Sequence, residues 1–210
     1  MAKTEIQEID FNDIVESMVS NVKDDIKSFD DYINLYGVLK RQIFIGEIED
    51  GVGDSVDAYI RYWNEQDKNI PVEEREPIVL IINSVGGYLT DAFTIIDSIK
   101  LSKTPVIGIC PGMAYSGGFF ILISCDKRYA YPHASFLFHE GATSNGGTSS
   151  QFQNYAAFYK KQLDRLKDIV LSNTKITEEE YKEIKKDDVW YNTKEALEKG
   201  IIDEVLEEFI

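Results

Sequence analysis

The chain has 210 residues, 22 basic and 37 acidic, for a net charge of −15, and 43% of it is apolar, with 12 Tyr and 11 Phe. This suits one compact domain, or one with a small appendage, and argues against disorder. The charge and the lack of a basic patch beyond Lys160–Lys161 and Lys185–Lys186 argue against a nucleic-acid partner; Cys110 and Cys125, without CxxC spacing, argue against a disulfide framework or a structural zinc site.

In chain order, Met1-Ala-Lys-Thr-Glu leads into an acidic stretch with no apolar run, so no secretory signal is expected. Residues 1–30 read as an acidic amphipathic helix, with Phe11, Ile14, Val15, Met18, Val19, Val22 and Ile26 at helical spacing. That face could pack on the chain's own domain, residues 31–210, or serve as a partner-binding arm. Tyr32 to Lys40 continues helical, and Gln42-Ile-Phe-Ile45 is a short strand stopped by Gly46. A helix from about Asp54 to Trp63 precedes residues 64–76, a polar stretch that reads as a surface loop.

Ile78-Val-Leu-Ile-Ile82 is a fully apolar strand of the kind buried in a parallel sheet. It ends in Asn83-Ser-Val-Gly-Gly87, and a helix follows with Ala92, Ile95, Ile96 and Ile99 on one face. Val106–Ile109 is the next strand. Pro111-Gly112 then leads to a helix from about Tyr115 to Ser124. Val106 to Cys125 is twenty residues without a charge, formally enough to cross a bilayer, but four glycines, a proline and two serines break it, so no membrane span is expected. Arg128–Tyr131 and Ser135–Phe138 are short strands, and a long helix covers roughly Ser150 to Ser172. Thr177-Glu-Glu-Glu180 is a capping box for another helix, and Thr193–Lys199 is a last short one closed by Gly200. Alternating strands and helices predict an α/β fold of βαβ units with right-handed crossovers.

Three features carry chemical interest. His139 ends an apolar strand where it can face a cleft, although a strand-end histidine taken alone is more often structural; His133 has no obvious task. Ser116 lies in Gly112-Met-Ala-Tyr-Ser116-Gly-Gly118, a sharp turn into a helix amino terminus, where backbone N–H groups favour developing negative charge. The glycine pair Gly86-Gly87 suits an oxyanion hole, a phosphate cradle or a structural turn. The dinucleotide and P-loop fingerprints are absent.

In this order, Asn83-Ser-Val-Gly-Gly87, Gly112-Met-Ala-Tyr-Ser-Gly-Gly118, Phe136-Leu-Phe-His139 and Glu195-Ala-Leu-Glu-Lys-Gly-Ile-Ile-Asp203 resemble the proteolytic subunit of the Clp protease, over about residues 30–207. Tyr36-Gly-Val-Leu-Lys-Arg-Gln-Ile-Phe-Ile-Gly46 resembles that family's first helix-to-strand passage. The resemblance implies stacked βαβ units of the Clp protease/crotonase kind with a protruding handle helix. It implies an ATP-independent serine endopeptidase acting on peptides or unfolded polypeptides, with nucleophile Ser116, base His139 and acid Asp188, Asp187 being one register slip away. The oxyanion donors would be the N–H groups of Gly87 and Gly117, with no metal and no cofactor.

The resemblance also implies a cytoplasmic homo-oligomer of stacked heptameric rings, joined by a strand at Gly141–Gly147 and the helix from Ser150. Activity is expected to rise with pH as His139 loses its proton. Val85, Tyr115, Gly117 and Glu140-Gly141 depart from the family's usual residues at the pocket rim. The first thirty residues lack its usual axial-loop sequence, which counts against docking to an AAA+ unfoldase. Other readings are a catalytically dormant scaffold or regulatory subunit of the same fold, and a crotonase-type acyl-CoA enzyme. A Ser–Lys signal-peptide peptidase would need a lysine near a matching strand end and a membrane anchor, and the sequence offers neither.

Overall fold

A computed structural model describes residues 35–144 and 146–209, and the predicted helix over 1–30 lies outside them. The chain divides after Lys40 into two units, 1–40 and 41–210. In the first, residues 35–39 are helical.

The second unit begins with β1 (Gln42–Ile45), α1 (Val52–Gln66), β2 (Ile78–Ile82), α2 (Leu89–Leu101) and β3 (Val106–Cys110). It continues with β4 (Met113–Tyr115), α3 (Gly117–Ser124), β5 (Lys127–Ala130), β6 (Ser135–Phe138) and α4 (Ser149–Asn173). It closes with α5 (Glu178–Ile184), β7 (Val189–Asn192), α6 (Thr193–Glu198) and β8 (Glu204–Val205). Five strands form a wholly parallel sheet in the order β1-β2-β3-β5-β8. A second sheet is ordered β4-β6-β7, with β4 parallel and β7 antiparallel to β6. This is the α/β architecture expected for stacked βαβ units.

Alternation along β2 explains its central position. Ile78, Leu80 and Ile82 have no exposed surface, while Val79 and Ile81 on the other face are half-buried. Ala92, Ile95, Ile96 and Ile99 of α2 are buried as their spacing predicts. Helix α1 packs against α2, α2 against α3, and α3 against α4. The amino end of α1 lacks a side-chain cap of its own; buried Asp91 of α2 supplies one, its Oδ1 accepting the N–H groups of Gly51 and Gly53, each at 2.9 Å. Thr177 and Glu180 form the expected capping box of α5. In α4, Leu166 and Val170 are buried, whereas residues 149–160 are exposed apart from half-buried Tyr155 and Tyr159, so the first half of this helix projects from the core.

Four local expectations change. The polar stretch 64–76 is not simply a surface loop: α1 runs on to Gln66, and Asp67 is buried because Arg41 and Thr104 satisfy its carboxylate. Helix α3 starts at Gly117 rather than near Tyr115, since Met113–Tyr115 is drawn into a strand by pairing with β6. Val189–Asn192 is a strand that local pattern did not suggest. The expected strand at Gly141–Gly147 does not form among the described residues of this single chain, 141–144 and 146–147.

Candidate active site

The small sheet brings three sequence-distant segments to one edge. Tyr115 of β4 stands beside Leu137 of β6, and Leu137 lies opposite Trp190 of β7. One residue on, Phe138 pairs with Val189, and Ser116 directly follows the last residue of β4. Continuing the antiparallel register by one residue sets His139 opposite Asp188. His139 Nδ1 is 3.6 Å from Asp188 Oδ1, close enough for an ion pair but longer than a hydrogen bond. Asp187 is exposed and its side chain forms no hydrogen bond or ion pair among the described residues.

Ser116 occupies the turn between β4 and α3 with φ 52° and ψ −119°, a conformation that is costly for a residue with a Cβ. Its N–H donates to the Leu137 carbonyl at 3.0 Å, and its own carbonyl accepts the Phe120 N–H at 3.2 Å. The strained turn is thus tied to β6 on one side and to the first turn of α3 on the other. The Ser116 hydroxyl has no hydrogen-bond partner among the described residues.

Facing this turn is the segment after β2. Ser84 forms a bridge to Ala114 of β4, and Gly87 forms one to Ile48. Gly86 has φ +97° and Gly87 φ +152°; a Cβ on Gly87 would lie 2.1 Å from the Ile48 carbonyl oxygen, so only glycine fits. The N–H groups of Gly87 and Gly117 have no acceptor among the described residues. Ser84 is a supporting residue that the sequence reading did not single out: its Oγ accepts the Gly86 N–H at 3.0 Å and fixes the glycine turn. A serine two positions before a turn glycine was the available signal.

Ser116, Gly87, Gly117 and His139 line a single open cleft of about 780 Å³, whose walls include Tyr88, Phe93, Phe120, Tyr155, Phe158 and Tyr159. His133 is exposed in a turn and does not line it. Tyr115 and Trp190, both in the row of Leu137, meet edge to face with ring centroids 5.0 Å apart, and the Tyr115 hydroxyl is 2.7 Å from Ser135 Oγ. No group of three potential metal-ligating side chains occurs among the described residues.

This strand-turn-helix serine, glycine turn and strand-end histidine fall inside a family match. The Clp protease family model covers residues 25–209. The chain belongs to the Clp protease family. It is 33% identical over 187 residues to an ATP-dependent Clp protease proteolytic subunit 2 of Prochlorococcus marinus strain MIT 9312, covering 85% of this chain and 88% of that protein. It is 32% identical over 184 residues to an ATP-dependent Clp protease proteolytic subunit 3 of Synechococcus sp. strain CC9605, covering 83% and 88%. A proteolytic subunit 2 from Tropheryma whipplei strain Twist is 33% identical over 169 residues, covering 79% and 91%. Membership of the Clp protease family supports a peptidase. Among its described residues no helix is long and apolar enough to cross a membrane.

Proposed function

We propose that this chain is a serine-type endopeptidase subunit that hydrolyses peptide bonds of peptides or unfolded polypeptides. The observation that carries the reading is the edge of the small sheet, where Ser116 follows the last residue of β4, His139 follows the last of β6 and Asp188 precedes the first of β7, with His139 Nδ1 3.6 Å from Asp188 Oδ1. A serine hydroxyl needs an adjacent base at neutral pH. His139 Nε2 would take the Ser116 proton during attack on the scissile carbonyl and return it to the leaving amine. Asp188, facing Nδ1, would accept its proton, hold the Nδ1–H tautomer that leaves Nε2 free as the base, and stabilise the imidazolium. The acceptor-free N–H groups of Gly87 and Gly117 would stabilise the tetrahedral oxyanion. Bond cleavage then needs no nucleotide, metal or cofactor.

Ring assembly is general in this family, and stacked heptameric rings in the cytoplasm are the form in which the site would be enclosed. Feeding by an AAA+ unfoldase would concern protein substrates and not the peptide chemistry. The test is a fluorophosphonate labelling time course at pH 7.5 with the adduct mapped by mass spectrometry, and light scattering on the same samples. An adduct on Ser116 that disappears in Ser116→Ala and slows by about 10⁴-fold or more in His139→Ala is expected. The unbonded Ser116 hydroxyl favours the second reading, a dormant subunit: an intact ring without an adduct would establish it and refute the peptidase.

A further inference from the structure

His139 is held through both of its chain neighbours by one side chain outside the proposed triad. Tyr181 of α5, only 2% exposed, meets the ring of Phe138 edge to face, with centroids 5.6 Å apart at 69°. Its hydroxyl donates to Glu140 Oε1 at 3.1 Å. Tyr159 of α4 adds a second tie, donating to the Glu140 backbone carbonyl at 3.2 Å. Residues 138 and 140 flank the histidine, so a grip on both fixes where its Cα and ring can go.

Helix α5 also sets the position of the acid. It ends at Ile184, and a turn of three residues leads to Asp188 and β7. Tyr181 therefore links the strand end bearing His139 to the helix that delivers Asp188. The His139–Asp188 pair needs such a link. At 3.6 Å, with the Asp188 side chain 63% exposed, it is too solvated to hold the ring by itself. Burial, and after it the Glu140 carboxylate, pushes the Tyr181 phenol well above its ordinary range, so it stays protonated and donates wherever the fold is intact.

We infer that Tyr181 is a positioning residue for the reaction, which through Phe138 and Glu140 registers His139 against Asp188. The inference rests on the peptidase reading of the site. Phenylalanine at 181 keeps the ring against Phe138 and removes only the hydroxyl. Alanine at 140 removes the acceptor from a half-buried position, and glutamine restores an oxygen for the same phenol.

The experiment measures fluorophosphonate labelling of Ser116 in the full chain together with the ring signals of 13C-labelled histidine, of which there are only two. Tyr181→Phe and Glu140→Ala should each slow labelling roughly tenfold, and the double variant should be no slower than either, because both delete one hydrogen bond. Glu140→Gln should recover most of the loss. The His139 signal should move in the two slow variants while His133 stays unchanged. Wild-type labelling with an unmoved His139 signal in Tyr181→Phe would overturn the inference, as would losses that add in the double variant. A wild-type chain that never labels at Ser116 would refute the peptidase reading, and the His139 ring signals would then decide the brace by themselves.

Discussion

Gly86→Ala should damage stability and Ser116 reactivity together. At φ +97° a Cβ on residue 86 would lie 2.7 Å from Ser116 Cβ and 3.0 Å from both the Gly117 nitrogen and the Tyr115 oxygen, so its three nearest neighbours all belong to the Ser116 turn. Carbon–carbon contacts settle at about 3.5–4.0 Å, so one side must yield by on the order of 1 Å. The glycine segment cannot swing freely, because the Gly86 carbonyl accepts the Ile48 N–H at 2.8 Å and Ser84 holds the Gly86 N–H. Left-handed backbone costs alanine about 1–2 kcal/mol and overpacking about 1–3 kcal/mol, so a loss of roughly 2–5 kcal/mol follows. Moving a nucleophile by about 1 Å costs on the order of 10²-fold in rate. Urea unfolding reads the first effect, and the fluorophosphonate time course, run where both proteins are folded, reads the second. A Gly86→Ala chain with the wild-type urea midpoint and labelling rate would refute the claimed contact. A destabilised chain that labels normally would show that the glycine segment yields and the serine turn does not.

The register of β6 and β7 separates two adjacent acids: Asp188→Ala should slow Ser116 labelling by about 10²–10⁴-fold and Asp187→Ala by less than about twofold, with the reverse order refuting the pairing. Asp67, 1% exposed, accepts two hydrogen bonds from Arg41, which hold its carboxyl below the usual carboxylate range despite burial. A folded-state value below the unfolded one, about 3.9, gives stability that is present above the unfolded value and lost as pH falls through the folded one. Asp67→Ala should therefore cost about 3–5 kcal/mol in urea unfolding at pH 7, with the gap from wild type narrowing in acid; a gap independent of pH would contradict this. Cys110 and Cys125 are free and buried; burial pushes the Cys110 thiol up to about 12 and the Cys125 thiol higher still. Neither should react with a disulfide reagent at pH 8 until urea unfolds the chain, and rapid titration in the folded state would show that the core opens.

Much of the fold was legible because strands and helices advertise different periods. Gln42–Ile45, Ile78–Ile82 and Ser135–Phe138 were read with their observed bounds, each apolar run being stopped by glycine, asparagine or the histidine. The capping box at Thr177 marked α5 for the same local reason. The β4 and β7 strands were missed because their cause is not local. Met113–Tyr115 is too short to show alternation. Val189–Asn192 follows the polar run Lys185-Lys-Asp-Asp188 and leaves Trp190 exposed. Both become strands by pairing with β6. Asp67 was hidden likewise: an acid in a polar stretch reads as solvated until an arginine 26 positions earlier meets it.

The sequence by itself determined the residue types that can do acyl-transfer chemistry, the glycines that let the chain turn beside them, and the family to which the motifs point. Those properties reside in single residues and short spacings. Only the tertiary structure decided that β4, β6 and β7 share a sheet apart from the main one. It alone decided that Asp188 rather than Asp187 meets His139, and that Tyr181 grips the residues on either side of that histidine. These are relations between segments far apart in the chain, set by strand register and by the burial of a common core, and no local pattern encodes them.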